Sequence, residues 1–241
     1  MQVIRLLKER SEITSHDRAV TIAFLGDSVT QGCFEVFMDH EDRIDTVYEK
    51  EHGYHTYLIH ILSMLYPRVP VNIIHAGICG DNAPGGNKRL ERDVLRFHPD
   101  LVVVCFGLND AVNGKAGLEN YTQALREIFT KLREAGTECI FMTPNMMNTY
   151  VSAHITDERI RDIARETGAV QTDGIFDEYV EAAKAVCGEC KVPVCDCYAR
   201  WKTLYANGVD VTELLANKMN HPSREMNWLF AVSLLETMME M

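Results

Sequence analysis

The chain has 241 residues, 46% of them apolar or aromatic, and a formal net charge of −11. That length suits one sizeable α/β core and is too short for two comfortable ones, so residues 1–241 are expected to form a single domain. The excess of acid, 35 Asp and Glu against 24 Lys and Arg, argues against nucleic acid and anionic membrane surfaces as partners, because both need clustered positive charge. Met1 to Arg10 carries too many charges for a signal peptide, and no apolar run reaches membrane-spanning length, so a cytoplasmic location is expected.

Ala19 to Leu25 is a β-branched, apolar run of the kind that forms a buried parallel strand. It breaks into Gly26-Asp27-Ser28-Val29-Thr30-Gln31-Gly32, which places Ser28 where a strand end meets a helix start. Unpaired backbone N–H groups cluster at such a junction. A serine hydroxyl there can attack a carbonyl whose developing negative charge those N–H groups stabilise. The plainer reading is a strand-to-helix turn capped by Ser28 or Thr30.

Cys33 to Tyr54 reads as a loop with Phe34, Phe37, Tyr48 and Tyr54 among acidic residues, and it is expected to pass near the pocket or to serve packing. Residues 56–66 read as a helix, 70–75 as a second strand ending in Ala76-Gly77-Ile78-Cys79-Gly80-Asp81-Asn82, and 87–97 as a second helix. A third strand at 101–106 ends in Gly107-Leu108-Asn109-Asp110. The helix expected at 118–135 lines up Tyr121, Leu125, Ile128, Phe129 and Leu132 on one face. Strand 138–142 then leads into Thr143 to Tyr150, whose Met146, Met147 and Tyr150 are candidates for an adaptable pocket wall or for packing. Helices at 158–167 and 175–186 precede a fifth strand at 191–195, and Asn217-Lys218-Met219-Asn220-His221-Pro222 precedes a last amphipathic helix. Strands alternating with helices predict a parallel sheet covered on both faces, with its site at the carboxyl ends of the strands.

Of the eight cysteines, Cys105 and Cys139 fall inside expected strands, which points to reduced thiols rather than a disulfide framework. Cys187, Cys190, Cys195 and Cys197 have a superficial zinc spacing, but an extended strand between the pairs would carry them apart.

The order Gly26-Asp27-Ser28, Gly80, Gly107-x-Asn109-Asp110 and His221-Pro222 resembles the SGNH subgroup of the GDSL hydrolases over residues 19 to 235. The resemblance implies a three-layer αβα, flavodoxin-like fold around a five-stranded parallel sheet ordered 2-1-3-4-5. It makes Ser28 the nucleophile, His221 the general base, and the oxyanion hole the N–H of Ser28, the N–H of Gly80 and the side-chain amide of Asn109. It implies a serine esterase that needs no cofactor or metal. Its partner is a small-molecule ester, and the acidic loop favours an acetylated sugar as substrate. The alternatives are a lysophospholipase or thioesterase, and a non-catalytic carbohydrate-binding relative. Family members commonly carry an aspartate three residues before the histidine, where this chain has Lys218. Partners considered for the imidazole are a main-chain carbonyl near 217–219, the amide of Asn217, and the carboxylates of Asp196 or Asp210. The backbone carbonyl is favoured, because it needs no coincidence of side-chain placement.

Overall fold

The structure is a computed structural model that describes residues 1–13 and 18–240. Its elements run α1 (Gln2–Ser11), β1 (Val20–Gly26), α2 (Ser28–Gln31), β2 (Cys33–Met38), β3 (Ile44–Tyr48), α3 (Tyr54–Leu65), β4 (Val71–Gly77), α4 (Ala83–Asp93), β5 (Leu101–Cys105) and α5 (Leu108–Ala111). They continue as α6 (Leu118–Glu134), β6 (Glu138–Met142), α7 (Glu158–Thr172), α8 (Ile175–Cys190), β7 (Val194–Cys195), α9 (Cys197–Ala206) and α10 (Met226–Glu240).

The main sheet has five strands in the order β4-β1-β5-β6-β7, all pairs parallel. Counted along the chain, this is the expected 2-1-3-4-5 order. The central strands β1 and β5 are almost wholly buried, which is why their sequences are continuous apolar runs rather than alternating ones. The helices form two packed groups, α4 with α6 and α8, and α3 with α10 and α1. The alternation of buried Tyr121, Leu125, Ile128, Phe129 and Leu132 along α6 is the apolar stripe read from the sequence.

The layout differs from expectation in several places: α1 and α9 were not expected, α4 spans Ala83–Asp93 rather than 87–97, and α7 runs on to Thr172. The segment after Gly32 is an antiparallel hairpin, β2 with β3, rather than a loop, with a register shift between Cys33 and Val36. The fifth strand shrinks to Val194–Cys195 because α8 runs on to Cys190 and Lys191 closes it in the left-handed conformation, φ 58°. Met146 and Met147 are fully buried, so they pack the core instead of walling a pocket.

Candidate active site

Parallel pairing sets Gly26 at the end of β1 beside Gly77 of β4 and Cys105 of β5. Ser28, Gly80 and Asn109 each follow one of these residues closely, so they emerge along one edge of the sheet. Ser28 opens the single-turn helix α2, and Asp27 caps it by accepting the Val29 N–H at 3.0 Å. Gly26 is required here for closeness rather than for the turn itself. A Cβ at that position would meet Thr30 Oγ1 at 2.1 Å and the Cys105 carbonyl at 2.7 Å.

Asp27 is buried, and its second oxygen Oδ2 has no hydrogen-bond partner. Desolvation, helped by the nearby Asp110, pushes its pKa up to about 7. A folded-state pKa above the unfolded value costs nothing below pH ~4, and the penalty grows as pH rises through 7. Asp27→Asn is therefore expected to stabilise the fold by about 2–4 kcal/mol at pH 8 and by little at pH 4. Thermal melts of both proteins at the two pH values check this, and an equal gap at both would contradict it.

His221 faces Ser28. Its Nε2 lies 2.9 Å from Ser28 Oγ and its Nδ1 lies 2.8 Å from the Phe34 carbonyl oxygen. A carbonyl only accepts, so Nδ1 carries the proton, leaving the Nε2 lone pair to receive the serine O–H. Burial pushes the His221 pKa down to about 4, against the Phe34 carbonyl and the Glu35 carboxylate, which both pull it up. The imidazole is thus neutral at neutral pH, as a base must be.

The histidine is delivered by a tight loop. Asn217 Oδ1 accepts the backbone N–H groups of Met219, Asn220 and His221 at 2.9–3.0 Å, and Leu215 bridges to Pro222. The segment after β6 braces it, with Asn145 Nδ2 donating to the Asn220 carbonyl and the Asn148 N–H to the Met219 carbonyl.

Gly80 has φ +75°, a left-handed conformation that strains any residue with a Cβ, although a Cβ there would meet no atom within 4 Å. The demand for glycine is therefore conformational; the protein itself does not crowd the position. Asn109 donates one amide hydrogen to the Asp81 carbonyl at 2.8 Å, which holds its side chain beside the Gly80 loop and leaves its other N–H for a ligand. Buried Arg89 locks the same loop. It donates to Asp81 Oδ2 at 2.6 Å and to the carbonyls of Ala76 and Gly26, tying the ends of β4 and β1 together.

None of the side chains considered as imidazole partners touches Nδ1. Lys218 turns away with φ 58°, its Nζ on Glu213 at 2.9 Å. Asp196 caps α9 and pairs with Lys184, and Asp210 accepts the Tyr150 hydroxyl. Asn217 shapes the loop instead. The partner is a main-chain carbonyl, as favoured, but it belongs to Phe34 rather than to residues 217–219. Phe34 was named in the sequence only as an aromatic of the 33–54 segment, so the part its carbonyl plays was missed, and Arg89 and Arg224 were missed altogether. A carbonyl has no side-chain signature, and an arginine on an expected helix reads as a solvated one.

Among the described residues, no group of three or more His, Cys, Asp or Glu side chains is placed to hold a metal ion. Most acidic residues of the 33–54 segment are paired with arginine, two carboxylates sharing one guanidinium in places and so keeping a net negative charge: Glu35 and Glu49 share Arg224, Asp39 and Glu41 share Arg43, and Asp42 pairs with Arg159.

A profile of the GDSL-like Lipase/Acylhydrolase family matches residues 24–229. An acetylxylan esterase of Geobacillus stearothermophilus is 24% identical over 181 residues, covering 66% of this chain and 79% of that protein. The crystal structure of Axe2, an acetylxylan esterase from the same organism, superposes with a TM-score of 0.65 at 20% identity, over 90% of this chain and 93% of that one. The acetyl xylan esterase AlAXEase superposes with a TM-score of 0.66 at 19% identity, over 90% and 98% of the two chains. Catalytic mutants of Axe2 have been made at a serine, an aspartate and a histidine, the aspartate three positions before the histidine. The chain belongs to the GDSL-like lipase/acylhydrolase family.

Proposed function

We propose that the protein is a serine esterase that removes acetyl groups from carbohydrate. The observation that carries this reading is the hydrogen-bonded line from Ser28 Oγ to His221 Nε2, and from Nδ1 to the Phe34 carbonyl. Ser28 attacks the ester carbonyl while His221 takes its proton, and the N–H groups of Ser28 and Gly80 with the free amide hydrogen of Asn109 stabilise the oxyanion. His221 then protonates the leaving sugar hydroxyl. The resulting acyl-enzyme is cleaved by a water that the same imidazole activates.

Acetate as the acyl group is supported by the acetylxylan esterases among the relatives, and Ser28 and His221 are largely shielded from solvent, at 4% and 6% exposure. Carbohydrate as the alcohol is supported by the acetylxylan esterases among the relatives. A reducing compartment such as the cytoplasm suits the free cysteines, and no helix among the described residues is long and apolar enough to cross a membrane.

The test is a chain-length and substrate series with Ser28→Ala as control. Acetate release from acetylated xylo-oligosaccharides is expected, with p-nitrophenyl acetate cleaved at least about tenfold faster than the octanoate ester in kcat/KM. Preference for the octanoate, with no acetate released from the oligosaccharide, would replace this reading with a lipid-type acyl hydrolase. Because Nδ1 is already occupied by a main-chain oxygen, Lys218→Ala is expected to keep kcat/KM within about tenfold of wild type, whereas loss of a true triad acid costs about ten-thousandfold. A folded Lys218→Ala protein with the lower activity would contradict the carbonyl assignment.

A further inference from the structure

A main-chain carbonyl orients an imidazole but lacks the full negative charge with which an acid stabilises imidazolium. Arg224, three residues after His221, donates from Nη1 to Glu35 Oε1 at 2.7 Å and from Nη2 to Glu35 Oε2 at 3.0 Å. It also donates from Nε and Nη2 to the two oxygens of Glu49, both at 2.7 Å. Its Cζ sits 4.5 Å from the centroid of the Phe34 ring. One guanidinium therefore uses its edges on two carboxylates and its face on the very residue whose carbonyl takes the His221 proton. Glu49 is fixed in turn, its N–H donating to the Gly32 carbonyl at 2.9 Å at the base of the hairpin.

Taking Ser28 and His221 as nucleophile and base, we propose that Arg224, with Glu35 and Glu49, is a positioning device that stands in for the absent triad acid. Arg224 fixes the Phe34 carbonyl under Nδ1 and holds the Glu35 carboxylate where its charge favours the protonated imidazole. The contacts close a ring: His221 to Phe34, Phe34 to Glu35 along the chain, Glu35 to Arg224, and Arg224 back to His221 through Pro222 and Ser223. Isolated surface ion pairs contribute little, but this one is two-pronged on each carboxylate and networked, with the Arg224 side chain only 27% exposed. Its effect is expected in the geometry of the base more than in global stability. The other titratable groups around it are Glu225 and Tyr57, which interact electrostatically with Arg224, and His52, whose Nε2 lies 3.7 Å from Glu49.

The experiment measures kcat, KM and thermal melting on p-nitrophenyl acetate for Arg224→Gln, Arg224→Lys and Glu35→Gln, with His221→Ala alongside. Arg224→Gln is expected to lower kcat by about 30- to 100-fold with KM within about threefold, as displacement of a catalytic group by an ångström does. Arg224→Lys should recover only part of this, since an ammonium cannot fork onto two carboxylates while covering the ring. Glu35→Gln keeps shape and some hydrogen bonding but removes charge, so the acidic limb of the kcat/KM profile should move to lower pH as kcat falls. Mere loosening of the fold would move acid inactivation to higher pH. If Arg224→Gln fails to fold, Arg224→Lys and the Glu35→Gln limb decide the matter. The proposal is overturned if the folded Arg224 variants keep kcat within about threefold, or if the Glu35→Gln limb stays put or rises. An inactive His221→Ala beside unchanged Arg224 variants removes the clamp alone, whereas an active His221→Ala removes the base assignment beneath it.

Discussion

Ser28→Ala is expected to lower ester hydrolysis by at least about four orders of magnitude, with His221→Ala nearly as damaging and the double variant no worse than either. Nucleophile and base act as one unit: without Oγ there is nothing for the imidazole to activate, and without the imidazole the hydroxyl stays protonated. Ser28→Ala gives up a single hydrogen bond to His221 at 2.9 Å, so its cost in stability should be about 1 kcal/mol and the fold should survive. Steady-state rates beside circular dichroism and thermal melts separate lost chemistry from lost structure. A folded Ser28→Ala protein with wild-type rates would end the serine mechanism.

Asn109→Ala should lower kcat by about two to three orders of magnitude and leave KM nearly unchanged, because an oxyanion donor acts in the transition state. One amide hydrogen of Asn109 is already spent on the Asp81 carbonyl, so the side chain is oriented before substrate arrives. Asn109→Asp tests the same point with little change of shape. It keeps the size but replaces a donor with an acceptor facing the developing negative charge, and should be at least as damaging. A variant altered in KM alone would make Asn109 a substrate-binding or structural residue.

The parts of this molecule that could be read in its sequence are those whose physical cause is local. Strands β1, β4 and β5 were legible because their apolar runs end in glycine-containing turns, and β6 because its apolar run stops at Thr143-Pro144-Asn145. Ser28 stood out as a hydroxyl at a strand end, whereas Gly80, Asn109 and His221 were singled out by the order of short motifs that resembles the family. The β2–β3 hairpin was not legible, since a register shift between Cys33 and Val36 interrupts its pairing and burial alternates along neither strand. A turn signal was nevertheless present. Asp39 accepts the N–H groups of Glu41 and Arg43, with Asp42 left-handed at φ 63°. The Phe34 carbonyl and the Arg224 clamp were invisible for a different reason. They join residues 175 to 189 positions apart through main chain and ion pairs, for which no local pattern exists.

The most direct test of the central claim is peptide mapping by mass spectrometry after treatment with a fluorophosphonate, a probe that bonds covalently to an activated serine. The account predicts one label per chain, on Ser28, formed rapidly in the wild type, slowly in His221→Ala and not at all in Ser28→Ala. A label on any other serine, or equal labelling of Ser28 with and without His221, would contradict it.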